Sequence, residues 1–219
     1  MIEVILVADY KELKKLLELS MKTAKETYPE LVDRMAKEEL LFEAIDTHYK
    51  ALDEGVNIRP TLGNEMQILY MRDRQTFMFA LFPELLTLAY YIGKVIGAAY
   101  IAPRISGESL DELLKSNVKI APSHKYGYQK IVWAKENEAV YRTYECADCY
   151  GLPDIGLKLC VYEAGTAAGA FEVKLGKRVE VEEEKCCANG DEYCEFHIYV
   201  FDEPALLGQN TNNRFFPKD

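Results

Sequence analysis

Residues 160–196 read CVYEAGTAAGAFEVKLGKRVEVEEEKCCANGDEYCEF, and this stretch decides how the rest of the chain is read. Its first half has the composition of a helix opened by Cys160. Gly165 and Gly169 lie four residues apart on one face, where missing side chains let another element approach closely. Gly176 is placed to stop the helix. An alternating strand follows, with Val179, Val181 and Glu183 on one parity and Arg178, Glu180 and Glu182 on the other. Asn189, Gly190 and Asp191 supply turn chemistry. The returning strand puts Cys194, Phe196, Ile198 and Val200 on one face. A helix start and a tight hairpin thus bring Cys160, Cys186 and Cys194 toward one point.

Glu183 is the odd residue in this pattern. Its parity places it with Val179 and Val181 on the face expected to be buried, where an unpaired carboxylate is costly. A metal ion resolves that cost. Cys160, Glu183, Cys186 and Cys194 form a set of three thiolates and one carboxylate, suited in number and softness to tetrahedral zinc. The spacing alone leaves alternatives open. Cys146 and Cys149 form a C-x-x-C pair that reads as a second zinc half-site, as a redox pair, as a replacement for Glu183 in the main site, or, as the plainest reading, as a pair of unligated thiols. A redox pair normally opens a helix after a strand, whereas this one enters a Gly/Pro-containing loop at 146–156. Cys187 adjoins Cys186, and because neighbouring side chains diverge only Cys186 is expected to ligate. His197 has the parity opposite to Phe196 and is expected to be exposed.

Working outward, residues 126–134 and 139–146 read as two strands around a polar turn. Ser109 and Glu112 mark the cap of a short helix reaching about Lys115. Residues 65–101 are strongly apolar and aromatic. Their length allows a membrane span, but Pro83 and Glu84 split the run and Lys94 interrupts its second half, so two buried helices are expected. Gly93 and Gly97 repeat the spacing of Gly165 and Gly169. The loop at 57–64 is the candidate boundary with a helical N-terminal part, whose second helix is expected to stop at Gly55 after an apolar stripe that has His48 beside it; His48 is read as an ordinary packing or surface residue. The expected organisation is an N-terminal strand and helical extension at 1–62, a main domain at 63–202 and a tail at 203–219. The fold class expected is α+β: N-terminal helices, then an antiparallel sheet packed against helices and stapled by zinc near its end.

With 219 residues the chain can bury a substantial core. Its net charge of −10 argues against a nucleic-acid partner and against anionic membrane surfaces. The N-terminus lacks a basic segment followed by an apolar one, so a cytoplasmic location is expected, where six cysteines read as metal ligands or thiols before disulfides. No phosphate loop, dinucleotide fingerprint or Ser/His/Asp order is present in the sequence.

The pattern C-x-x-x-x-G-x-x-x-G followed by E-x-x-C-x-x-x-G-D-x-x-C-x-F resembles the signature of the 4-vinyl reductase domain family, in a stand-alone archaeal form. The resemblance covers roughly residues 60–202 and is strongest in the last third. Tyr90 to Gly97 resembles the family's Y-x-x-G-x-x-x-G helix with one residue of slack. Related sensory domains of aromatic-responsive activators bind zinc through three cysteines and a glutamate at this spacing, which implies Cys160, Glu183, Cys186 and Cys194 here; the C-x-x-C pair departs from that pattern. The family is similar in fold to components of Golgi transport complexes and to haem-based nitric-oxide sensors, which implies a ligand-binding fold. Trp133, Tyr91, Tyr126 and Tyr128 are candidates for an aromatic pocket, although the plainer reading makes them core and sheet residues. Neither His124 nor Trp133 aligns with the ligand-holding pair of those relatives. The expectation is a zinc-containing homodimer that senses or carries an apolar or aromatic small molecule, more a binding protein than an enzyme. The alternatives are an enzyme or accessory factor in tetrapyrrole vinyl reduction, for which no hydride-donor site is visible, and a scaffold subunit of a larger assembly.

Overall fold

The computed structural model describes residues 53–65, 68–82 and 85–205, with a few isolated positions before them. The expected N-terminal strand, most of the N-terminal helical segment with His48, and the tail beyond residue 205 lie outside the described residues. The chain divides into two compact units, one built around Ile68–Asn212 and the other around Val7–Gln67. In the second, Gly55 ends a helix at φ 66, with the Val56 amide donating to the Ala51 carbonyl at 2.9 Å. The loop that follows is pinned by Asn64, whose side chain donates to the Val56 carbonyl and accepts from the Ile58 amide.

The first unit is an α+β domain. In chain order it runs α1 (Ile68–Leu81), α2 (Leu85–Ile96), α3 (Leu110–Ile120), β1 (Tyr128–Ala134), β2 (Glu138–Tyr144), α4 (Val161–Leu175), β3 (Lys177–Lys185) and β4 (Cys194–Pro204). The strands form one antiparallel sheet in the order β1-β2-β4-β3. The inner face carries Ala139, Tyr141, Cys194, Phe196, Ile198, Val179, Val181 and Glu183, all buried. This is the parity the alternating sequence of β3 and β4 dictates. Ser109 caps α3 by accepting from the Glu112 amide, and Glu112 reaches back to the Glu108 amide. That helix continues five residues past the expected stop, to Ile120, because nothing before Pro122 breaks it.

α2 and α4 pack against each other with almost no space between backbones. A Cβ placed on Gly93 would lie 2.1 Å from the Tyr162 carbonyl oxygen, and one on Gly165 would lie 2.0 Å from that of Tyr90. The two small-residue pairs read in the sequence are therefore two halves of one contact. α2 continues as a π turn, Gly97–Ile101, and Leu85–Arg104 is long and apolar enough to cross a membrane by length and composition alone. Its surroundings are those of a core helix. Lys94 is 2% exposed and pairs with Glu172 of α4 at 2.9 Å and with Glu180 of β3 at 3.3 Å. The free edge of β3 is closed by the same group of residues: the Val179 amide donates to Glu172, and the Val181 amide to the Tyr90 hydroxyl, which itself donates to Glu180.

Removing one member of a buried ion pair leaves the other charge uncompensated, at a cost of roughly 3 kcal/mol or more. Lys94→Met is therefore expected to lose about that much in denaturant unfolding. Lys94→Met combined with Glu172→Gln should recover part of the loss, and an additive double variant would contradict the pairing.

Candidate metal centre

The sheet order explains why residues far apart in sequence meet. β4 lies between β2 and β3, so the first residue of β4, Cys194, is registered against Thr143 at the end of β2. The chain leaves β2 there through Glu145, held at φ 50, and enters the turn containing Cys146 and Cys149. It returns to the inner face at Cys160, the N-cap of α4. On the other side of β4, Glu183 is registered against Phe196, and Cys186 follows the end of β3. Two strand ends, one strand start and one helix start thus converge at a single end of the sheet.

Five thiols occupy that point, and each of these cysteines is fully buried. Cys160 Sγ lies 3.4 Å from Cys146 and from Cys149, 3.7 Å from Cys194 and 4.0 Å from Cys186. Cys149 and Cys194 are 3.1 Å apart. The Glu183 carboxyl completes the group: Oε2 accepts from the Cys160 amide at 2.9 Å, while Oε1 is buried without a hydrogen-bond partner among the described residues. Two sets of four bring their donor atoms within 4.8 Å of one another: Cys160, Glu183, Cys186 and Cys194, and Cys146, Cys149, Cys160 and Cys194. The sulfur separations bracket the edge of a tetrahedron with zinc–sulfur bonds, about 3.8 Å. A buried carboxylate oxygen with no donor, surrounded by soft sulfur ligands, fits a thiophilic divalent cation such as zinc. Burial drives the Glu183 carboxyl well above the usual carboxylate range, with Cys186 adding to the effect. Burial, followed by the neighbouring thiols, drives the Cys160 thiol up in the same way. A cation reverses both penalties.

Several residues that sequence reasoning passed over hold this centre. Arg72 of α1 donates to the carbonyls of Cys146, Ala147 and Tyr150, clamping the C-x-x-C turn from 74 or more positions away. Gln75, one turn further along α1, donates to the Leu159 carbonyl. The Leu159 amide points at Cys186 Sγ, and the Cys186 amide is held by Asp191. Tyr141 is buried on the inner face and stacks on Phe196 at 5.0 Å. Asp148 accepts from the Tyr126 hydroxyl, and burial lifts its carboxyl to about 7. The residues that orient ligands commonly matter to metal retention by about tenfold or more. Arg72→Ala is therefore expected to speed metal transfer to a competing chelator by about that factor, with the folded far-ultraviolet spectrum unchanged.

The four aromatic candidates come from α2, from β1 and from the turn before it. Tyr91 is buried in α2. Tyr126 reaches toward the C-x-x-C turn through Asp148. Tyr128 is 54% exposed beneath Lys130. Trp133 stands edge-on to His197 at 5.5 Å and below Lys135. His197 has the outward parity expected, but it is largely covered: its ring nitrogens face Glu138 and Glu184 at 2.8 and 3.0 Å, and it stacks on Tyr199. His124 is exposed. Cys187 opens a short 3-10 turn, Cys187–Asn189, and belongs to neither set of four.

Fold and site together define an α+β domain closed at one end of its sheet by a buried thiol cluster able to hold a metal ion. Residues 139–200 match the V4R domain. An uncharacterized protein of Methanocaldococcus jannaschii, MJ0150, is 32% identical over 157 residues, 70% of this chain and 89% of that protein. The chain belongs to the V4R domain family. Among solved structures, a vinyl-4-reductase family protein from the same organism aligns with a TM-score of 0.51 at 16% identity, over 74% of this chain and 96% of that one. The phenol-responsive sensory domain of the transcription activator PoxR, solved with phenol, aligns with a TM-score of 0.50 at 14% identity, over 62% of this chain and 75% of that one. These likenesses establish the fold, and the V4R match fits a small-molecule-binding domain.

Proposed function

We propose that this chain is a small-molecule-binding domain, sensor or carrier, whose ligand-binding fold is braced by zinc. The observation that carries the metal part is the convergence of five buried thiols on a buried Glu183 oxygen that no donor among the described residues satisfies. Cys160, Glu183, Cys186 and Cys194, with Cys146 and Cys149 beside them, would hold the ion. Bound zinc would supply a fixed charge and a covalent tie between α4 and the β2, β3 and β4 ends. Four protein donors leave no open coordination position for water, which a hydrolytic zinc requires.

The ligand part is supported by membership of the V4R family and by the fold shared with a domain that binds phenol. An apolar or aromatic molecule, held in the interior between the helices and the sheet with Tyr91 as a candidate contact, is the reading we favour. The chain is further proposed to work in the cytoplasm as a homodimer, with the segment 1–62 as an extension of the main domain at 63–202. Native mass spectrometry of protein purified without added ligand tests these points together. The expected spectrum shows a dimer retaining zinc and an apolar small molecule. A metal-free species that neither retains an endogenous molecule nor shifts on titration with simple phenols would overturn the proposal.

A further inference from the structure

The two sets of four donors are usually alternatives, but here they share two members and exclude none of the six groups. Cys146 and Cys149 belong to one set, Glu183 and Cys186 to the other, and Cys160 and Cys194 to both. Four terminal ligands and two shared ones are the ligand count of two tetrahedral metal ions joined along an edge. We propose that the centre holds two zinc ions bridged by the thiolates of Cys160 and Cys194, one ion completed by Cys146 and Cys149 and the other by Glu183 and Cys186. This rests on the metal reading above and extends it from one ion to two.

Three features of the structure favour it. The shared pair is placed as bridging ligands must be: Cys160 and Cys194 Sγ are 3.7 Å apart. With zinc–sulfur bonds of about 2.3 Å, that separation puts two ions on either side of the sulfur pair at roughly 3 Å from each other. The terminal ligands come from two different strand ends, since Cys146 and Cys149 follow β2 while Glu183 lies near the end of β3 and Cys186 follows it, with β4 and its Cys194 between. Charge is the third feature. A single ion in either set leaves two donors buried outside its shell: Cys146 and Cys149 in one case, Glu183 and Cys186 in the other. Leaving Glu183 out keeps a carboxyl oxygen buried with no partner, a costly arrangement. Two divalent ions take up all six donors, and the residual negative charge lies near the guanidinium of Arg72, which donates to the Cys146 carbonyl at 3.0 Å.

The test is metal stoichiometry on the intact chain, with no activity needed. Protein loaded with excess zinc and desalted is expected to hold two zinc ions per chain by native mass spectrometry and elemental analysis. X-ray absorption at the zinc edge should show a metal neighbour at roughly 3 Å. Glu183→Ala and Cys149→Ala, each removing a terminal ligand, should fall from two ions to one, whereas Cys160→Ala should hold none. If a variant fails to fold, the wild-type count decides alone. One zinc per chain with no metal neighbour overturns the bridged pair and leaves the single-zinc reading standing. No bound metal overturns both. Iron accompanied by an equal amount of acid-labile sulfide also overturns it, because the bridges would then be inorganic.

Discussion

Cys160→Ser is expected to release bound metal and to lower the melting temperature by about 10 °C or more. Its sulfur is within 4.0 Å of those of Cys146, Cys149, Cys186 and Cys194, and its amide donates to Glu183. It is also the N-cap of α4, so the same residue ties the helix to three strand ends. Structural zinc contributes about 10–16 kcal/mol in small peptides that have no other core. A domain with its own packed sheet and helices depends on it less, and a loss of about 4 kcal/mol corresponds to roughly 8–16 °C at this chain length. Cys187→Ala is the matched control, since Cys187 is buried beside the centre yet lies in neither ligand set. It should keep the full metal content and melt within a few degrees of the parent. Equal metal content in the two variants would remove Cys160 from the site.

What could be read in the sequence and what could not divide along the range of the interactions involved. The start of α4 at Cys160, its stop at Gly176 and the alternation of β3 and β4 are set by neighbours a few residues away, so periodicity and cap chemistry expose them. The left-handed φ of 65 at Gly176 is the local reason its helix ends there. The placement of Cys146 and Cys149 depends instead on β4 inserting between β2 and β3, and on Arg72 gripping the turn from α1. Neither leaves a periodic trace, and the readings of the C-x-x-C pair as metal ligands, redox pair or unligated thiols stayed open for that reason. His197 shows the same division within one residue. Its parity is local and read correctly, whereas its burial comes from Glu138, Glu184 and Trp133 on three other strands, so exposure was expected where cover is found. Residue type likewise says nothing about which layer an aromatic ring enters. Tyr91 went to the helices and Tyr128 to the surface.

Gly169→Ala is expected to cost more than about 4 kcal/mol, leaving little soluble folded protein at 37 °C. In an ordinary helix interior the change would stabilise by about 1 kcal/mol, because alanine is the better helix former. Here the new Cβ would lie 1.8 Å from the Lys94 carbonyl oxygen and 2.6 Å from its carbon, against backbone that cannot swing aside as a side chain would. The mirror contact is as tight, with a Cβ on Gly97 1.9 Å from the Thr166 carbonyl oxygen. α2 and α4 must therefore separate, which adds to overpacking of about 1–3 kcal/mol the disruption of what their spacing holds. Lys94 would be drawn from Glu172, a buried pair whose breaking costs roughly 3–5 kcal/mol. Tyr90 would leave the Val181 amide at the edge of β3. Gly176→Ala makes the comparison, since its added Cβ meets nothing within 4 Å and only its φ of 65 opposes it. That change should cost about 1–2 kcal/mol, and Gly176→Asn less. Urea unfolding of the three variants reads the order directly. If Gly169→Ala proved no more harmful than Gly176→Ala, the close backbone contact between α2 and α4 would be wrong.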